Sequence, residues 1–554
     1  MAGQDEPGIP GVLRHYSGPP IVNMRPLNCK IAIGLILAAL LAGCASLPPG
    51  SGFPKQSSAA FAHPEETQIG AVFDNEARAH PEESAFRMLP VGADGFAARM
   101  QMIKSAQRTL DVQYYIFSAD TTGLLVTGSL LAAADRGIHV RVLVDDGETT
   151  HGDEQILALA AHPQIEVRIF NPFAYRGHLR LVRSLEFLFE HRRLDYRMHN
   201  KLFVADNATA LIGGRNIGDA YFQVDPNAQF ADDDVFVAGP AVRKLSATFD
   251  EYWNSALAIP AQALVGSKPS EAKLARQRQR LSEHLQNARQ TGADFLKHAE
   301  QGDPFAGIIA GRLPVVWSKS QVVCDSPDKK HVVSGDTGGR LMYGPIAQAA
   351  GAVTSELILV TPYLVPTPGE MKLVHDLRQR NVRVRILTNS LNSTNELSAQ
   401  AGYSHNRKQL LREGVELYEL RAMLGNSRGS GQSAQMSRYG NYRLHAKLLI
   451  FDRKKLYAGS MNFDQRSRRL NTETGLIIDS PDMAAQTAAR FEAMTAPANA
   501  YAVSLRSPDM ADAPLIWRTE ENGKAVEYAR EPSRSVWRRA AVRLYGLLPL
   551  DKEL

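Results

Sequence analysis

One pattern occurs twice in this chain and governs how it can fold. His199-Asn-Lys201-Leu-Phe-Val-Ala-Asp206 is followed by Gly213-Gly214-Arg-Asn216, and His445-Ala-Lys447-Leu-Leu-Ile-Phe-Asp452 by Gly459-Ser460-Met-Asn462. In both copies His and Lys are two apart, Asp lies five beyond Lys, and Asn lies ten beyond Asp. The histidines are 246 residues apart. A strand–helix–strand pattern over residues 110–144 returns over 356–387, with matching strands 244 residues apart. Two independent features repeating in register mean two similar bodies, and 554 residues exceed what one core of roughly 250–300 residues accommodates. Strand–helix–strand units predict an α/β fold with a largely parallel sheet.

The spacing carries chemistry. His-x-Lys before Leu-Phe-Val or Leu-Leu-Ile reads as a strand, whose period of two puts His and Lys on one face. The Gly-Gly and Gly-Ser pairs permit a tight turn close to a bound anion. A neutral imidazole is a nucleophile toward phosphorus, and a protonated one is an acid near neutral pH. Lys holds a phosphate oxygen as a point charge, and Asn donates an amide hydrogen bond to another. One copy has half the parts; two facing copies supply nucleophile and acid together.

These residues resemble the phospholipase D superfamily over nearly all of residues 85–500. The resemblance implies a phospholipase D-like α/β fold: two pseudo-symmetric α/β/α domains with the active site at their interface. It implies that one histidine attacks phosphorus to give a phosphohistidine while the other protonates the leaving alcohol, then deprotonates the incoming one. By family precedent His199 is the nucleophile and His445 the acid/base, although the two copies are nearly symmetric. Lys201, Lys447, Asn216 and Asn462 match phosphate-binding positions, and a downstream carboxylate orients each histidine. Glu473 fits that role; in the first half Asp232, Asp233 and Asp234 compete, with Asp232 favoured. Asp206 and Asp452 complete the motif and are expected to hold its own architecture. No cofactor or metal is required. One departure is Gly213-Gly214 where the family often has Gly-Ser, which removes one hydroxyl as a phosphate contact. Met198–Asp206, Gly213–Tyr221 and Phe249–Trp253 look like bacterial cardiolipin synthases of the C group. That implies phosphatidyl transfer to phosphatidylglycerol, with phosphatidylglycerol and phosphatidylethanolamine as substrates and a monomer pairing its motifs internally. The alternatives are a phospholipase D releasing phosphatidic acid and, less favoured, a phosphodiesterase or nuclease.

Composition is consistent. The net charge of +5 is too mild to argue for nucleic acid and suits an anionic membrane surface. No long basic stripe with stacking aromatics is evident, so no nucleic-acid partner is expected. Arg25 and Lys30 precede the apolar run Ile31–Leu41, which ends in Ala42-Gly43-Cys44. Such a run reads as a secretory signal, and Leu41–Cys44 resembles a bacterial lipobox with Cys44 lipidated, placing the enzyme on the periplasmic side of the cell envelope. Of the other cysteines, Cys324 alone sits in the body of the chain and reads as an inert thiol.

The expected organisation is an extension and signal over 1–43, a flexible tether over 44–84, and a first domain over 85–265. A helical connector over 266–340, a second domain over 341–500 and a basic tail over 501–554 complete it. Gly425–Ser433 reads as a mobile loop; the serine-hydrolase string within it lacks the strand and helix an elbow needs. Two basic stretches with apolar residues, Tyr175–Leu194 and Trp537–Tyr545, suit either a bilayer interface or packing on the core.

Overall fold

The computed structural model describes residues 47–147, 159–177, 179–224, 229–264, 270–291, 304–310, 312–423, 442–507, 510, 512–533 and 535–547. The signal segment, Cys44 and the 425–433 loop lie outside them. The first half carries β1 (Ser84–Leu89), β2 (Thr109–Tyr114), β3 (His139–Asp145), β4 (Ile165–Phe170), β5 (Leu202–Ala205), β6 (Thr209–Gly213), β7 (Gln229–Ala231), β8 (Asp234–Ala238) and β9 (Ala258–Pro260). After these come β10 (Val316–Ser318) and β11 (Ser320–Cys324). The second half carries β12 (Glu356–Val360), β13 (Arg383–Asn389), β14 (Glu416–Leu420), β15 (Tyr442–Leu444), β16 (Leu448–Phe451), β17 (Lys455–Gly459), β18 (Thr474–Ile478) and β19 (Ala500–Leu505). Two last strands, β20 (Leu515–Glu521) and β21 (Lys524–Tyr528), follow.

One sheet runs β10-β1-β8-β6-β5-β2-β3-β4-β9 and the other β11-β18-β17-β16-β12-β13-β14-β19-β20-β21. The order β8-β6-β5-β2-β3-β4 is replayed as β18-β17-β16-β12-β13-β14, so the 246-residue sequence repeat is a repeat of topology. These two sheets are mixed rather than largely parallel: among the described residues, only β2-β3-β4 and β12-β13-β14 within them pair in parallel. The cause is local. Asp206 and Asn207, and likewise Asp452 and Arg453, take positive φ, so each motif strand turns back at once as a hairpin instead of crossing over through a helix.

Helices Gly92–Ser105 and Thr121–Asp135 cover one face of the first sheet. Helices Pro240–Asn254 and Pro481–Thr495 lie in a core shared by both halves, where Trp253, Phe249 and Tyr252 pack in one cluster with Ile358, Leu448 and Phe491. The halves are therefore joined by apolar burial as well as by the chain.

Three boundaries differ from expectation. Residues 47–84 are not a free tether: Lys55 donates to the Ala258 carbonyl at 3.1 Å and Asp250 accepts the Ala60 amide at 2.8 Å. Ile69 and Phe73, four apart on helix Gln68–Ala77, put an apolar pair on one face that buries against Phe236. The 266–340 connector is helical only in part, because the β-branched Val316, Val322 and Val323 put β10 on the edge of the first sheet and β11 on the edge of the second. The 501–554 tail begins as sheet, with β19, β20 and β21 extending the second sheet antiparallel. Asn522-Gly523, both at positive φ, makes the hairpin turn. Among the described residues no helix is long and apolar enough to cross a membrane.

Candidate active site

Each motif histidine sits at the entrance of its hairpin, where the chain runs beside the other half. The His199 amide donates to the Thr472 carbonyl, and the Thr472 amide to the Arg197 carbonyl, both at 2.9 Å. In the second half β15 pairs in parallel with β7, and the His445 amide donates to the Ala231 carbonyl at 2.8 Å. These two crossings deliver Glu473 to His199 and Asp232 to His445. His199 Nδ1 lies 3.0 and 2.9 Å from the Glu473 oxygens, and His445 Nδ1 lies 2.6 Å from Asp232 Oδ2. Each half therefore orients the other half's imidazole through its Nδ1. Nothing local in the sequence signals this exchange, since the pairs are 274 and 213 residues apart.

Asp233 and Asp234, the rivals of Asp232, are occupied elsewhere. Asp233 pairs with Arg490 of the second half. Asp234 takes a bidentate Arg99 at 2.8 and 3.2 Å and Arg215 at 3.1 Å.

The Gly-Gly departure has a reason other than phosphate contact. The Ser460 hydroxyl donates to Glu473 at 2.5 Å and accepts the Thr474 amide at 3.0 Å, so it serves the carboxylate. At the matching Gly214, a Cβ would lie 2.1 Å from Asp232 Oδ1. The Asp232 carboxylate occupies the space a serine would need.

Burial sets the charge states. The His199 imidazole is held well below its usual range by desolvation, then by Lys201, Lys447 and Arg466. His445 falls to about 3 by desolvation and Lys447, with Asp232 opposing. Both rings are thus neutral at rest. Although desolvation opposes it, Asp232 stays well below the usual carboxylate range beside His445 and Lys447. Burial lifts Glu473 to about 7. Burial also lowers Lys447 to about 8 and takes Lys201 well below the ordinary lysine range.

Both lysines reach into this buried site. Lys201 Nζ donates to the His199 carbonyl at 2.6 Å; Lys447 Nζ donates to the His445 carbonyl and lies 2.9 Å from its Nδ1. Asn216 is engaged, donating to Tyr221 Oη at 2.9 Å and accepting the Ile116 amide at 3.1 Å. The Asn462 side-chain oxygen is buried with no hydrogen-bond partner among the described residues. Tyr115 meets His199 edge-on at 5.1 Å and Tyr221 meets His445 edge-on at 5.2 Å, while Phe230 closes on His445 at 4.9 Å. The sequence did not single out these aromatics, although Tyr115 stands in an alternating strand and Tyr221 closes the Asn216 segment.

Asp206 and Asp452 lie outside the site, at the far ends of their motif strands. Asp206 accepts the amides of Gln107, Arg108 and Thr109 at 2.7–2.9 Å, and Asp452 those of Thr354, Ser355 and Glu356 at 2.7–3.2 Å. Each pins the start of the neighbouring strand, β2 or β12. Cys324 is buried and its thiol is pushed up to about 12 by desolvation, which makes it inert.

Two histidines held by carboxylates, with two buried lysines beside them, suit in-line transfer at a phosphodiester. The family described as "Cardiolipin synthase, PLD-like domain" matches residues 100–253 and 346–495. Cardiolipin synthase C of Escherichia coli (strain K12) is 35% identical over 475 residues, covering 85% of this chain and 96% of that protein. An uncharacterized protein of Helicobacter pylori is 30% identical over 505 residues, 90% of this chain and 95% of its own. Among solved structures, a phosphatidylserine synthase of Haemophilus influenzae aligns over 77% of this chain and 90% of its own at 13% identity, with a TM-score of 0.48.

Proposed function

The chain belongs to the cardiolipin synthase family of phospholipase D-like enzymes, and from that premise we propose that it transfers a phosphatidyl group from one phospholipid to phosphatidylglycerol, forming cardiolipin. The observation that carries this reading is the pair of imidazoles, each held at Nδ1 by a carboxylate of the opposite half. His199 Nε2 attacks phosphorus of the donor; the phosphorus–oxygen bond to the headgroup breaks, and His445 passes a proton to the departing alcohol. His445 then takes the proton of the phosphatidylglycerol hydroxyl as that oxygen attacks phosphorus. The phosphorus–nitrogen bond breaks and His199 returns neutral. The substrate anion offsets the lysine charges that hold the imidazoles deprotonated, so a proton is taken up on binding. Lys201, Lys447, Asn216 and Asn462 bear on the phosphate oxygens, the ammonium groups and the amide N–H groups donating.

Lipidation at Cys44 after the Leu41-Ala42-Gly43 run would hold the enzyme on the envelope membrane, facing the periplasm, within reach of phosphatidylglycerol and phosphatidylethanolamine. The test is incubation with mixed vesicles of those two lipids, products followed by mass spectrometry, with His199→Ala as control. Cardiolipin formed only with the intact histidine supports the proposal. Phosphatidic acid without cardiolipin makes the enzyme a hydrolase and overturns it.

A further inference from the structure

A surface helix of a water-soluble protein turns its charges to solvent and its apolar stripe to the core. Two helices here expose most of their large apolar residues and turn arginines inward, although Val542 of the second packs with Leu391 and Ala401. On Arg180–Leu194 the half-buried positions are Arg183, Glu186, Glu190 and Arg193. Arg183 donates to the Asp146 carbonyl and lies 3.9 Å from the Phe173 ring centre; Glu186 accepts the amides of Ala174 and Tyr175 at 2.6 and 2.9 Å. Its apolar residues before the buried Leu194 point outward, Leu181 at 74% exposure, Leu188 at 62% and Phe189 at 58%. On Val536–Tyr545, Arg538 donates to the carbonyls of Leu391 and Thr394 at 3.0 and 2.7 Å. Trp537 is 82% exposed, and Val536, Leu544 and Leu547 are exposed with it.

The anchors of these two helices are related by the repeat. Asp145 ends β3 and Asn389 ends β13, 244 residues on. Asp145 accepts the Met198 amide at 2.8 Å, and Asn389 accepts the Leu444 amide at 2.8 Å, so each holds the residue just before a site histidine. Arg183 grips the residue after Asp145, and Arg538 the second residue after Asn389. The helices come from unrelated places in the chain, one within the first half and one beyond the second, yet each is fastened beside its own histidine.

Resting on the phosphatidyl-transfer reading above, we propose that these two inside-out helices form a two-point docking platform for an anionic phospholipid bilayer astride the paired histidines. The occupant follows from chemistry. Exposed rows of Leu, Phe and Trp, with arginines beside them, match the boundary between acyl chains and headgroups. Arg176, Arg183 and Arg193 are paired with Asp146, Glu186 and Glu190, but Arg192 and Arg543 are exposed beside the apolar rows, and residues 535–547 carry three arginines and no carboxylate. That balance favours anionic lipid over water or a neutral protein face.

The test uses the full chain with Cys29→Ser and Cys44→Ser, so that a single new cysteine takes an environment-sensitive fluorophore. Label at Leu188→Cys and at Trp537→Cys should shift to the blue and be quenched by spin-labelled lipid on adding phosphatidylglycerol/phosphatidylethanolamine vesicles. Label at Lys524→Cys, exposed on β21, should not change. Leu181→Glu/Leu188→Glu and Val536→Glu/Leu544→Glu should each lower turnover on vesicles ten-fold or more, with turnover of short-chain monomeric phosphatidylglycerol within two-fold of wild type. Unchanged fluorescence at both helices overturns the platform. So does equal loss of turnover on both substrates, which would assign the helices to the fold, or dispersal of a dimer by these substitutions with vesicle binding intact. Fluorescence changes at both helices without any lipid product would instead leave the platform standing and sink the transfer reading.

Discussion

The two halves build the same imidazole–carboxylate pair on different supports. Beneath Asp232 the brace is internal to the repeat: Arg215 donates to the Asp232 carbonyl and to Asp234, and Arg99 closes on Asp234 from its own helix. Beneath Glu473 the brace comes from outside it. Asp325 accepts the Glu473 amide at 3.0 Å, and the buried Lys329 ties Asp325 to the carbonyls of Ser467 and Asn471 at 2.8, 2.7 and 2.7 Å. The side chains differ to match, the shorter Asp against Gly214 and the longer Glu against Ser460. The repeat thus retains where a carboxylate must arrive and leaves free how it gets there. The difference also sets charge: Asp232 is firmly ionised, whereas Glu473 titrates near neutrality.

The sharpest break between the halves is covalent. His199→Ala and His445→Ala should each lower cardiolipin formation by ~10⁴-fold or more. With a donor bearing a p-nitrophenol leaving group, intact-protein mass spectrometry should find a phosphatidyl adduct in His445→Ala and none in His199→Ala; the reverse would exchange their roles. Next come the carboxylates. Asp232→Asn and Glu473→Gln should each lose ~10²–10⁴-fold in kcat/KM, by analogy with the carboxylate of a hydrolase triad. The pH profiles should separate them. Ionised Glu473 is the form that accepts the His199 Nδ1 proton, and its acid form is favoured below about 7. Wild-type kcat/KM should therefore rise as pH passes upward through about 7, a rise kept in Asp232→Asn and abolished in Glu473→Gln.

Exchanging the small residues tests the complementarity more gently. Gly214→Ser pushes against Asp232 and should cost ~10²-fold in kcat/KM and about 1–3 kcal/mol of stability by overpacking. Ser460→Gly loses one charge-assisted hydrogen bond and should cost roughly ten-fold. Combining Gly214→Ser with Asp232→Glu, which copies the second half, should recover part of the loss. The smallest effect on rate belongs to the turn aspartates. Asp206→Asn and Asp452→Asn should leave kcat within roughly three-fold, because neither touches the site, while urea denaturation shows about 1–3 kcal/mol less stability. Asp206, which is fully buried, should show the larger loss.

Much of this was legible because it is local. The motif strands, the positions of His, Lys and Asn, and the duplication all follow from spacings within one strand and its turn. Strand direction was not legible, because positive φ at Asp206 and Asn207 turns the chain back where a crossover was expected. Nor was the destination of each carboxylate, since Asp232, Asp233 and Asp234 are sorted by partners far away in the chain: His445, Arg490 and Arg99. The two basic–apolar helices were visible as composition, but which stripe faces inward is decided by Asp146 and the carbonyls of Leu391 and Thr394. The docking of residues 47–66 was hidden for a similar reason, being made of contacts to Asp250, Asn254 and Ser255.

The exchange of carboxylates between the halves has an evolutionary consequence. After a gene duplicates in tandem, one copy is ordinarily at liberty to decay or to specialise. Here Asp232 holds the histidine of the other copy and Glu473 does the same in return, so a lesion at either is expected to reach across to the opposite half. Neither copy can be discarded or retrained alone, so selection acts on the two as a single heritable unit.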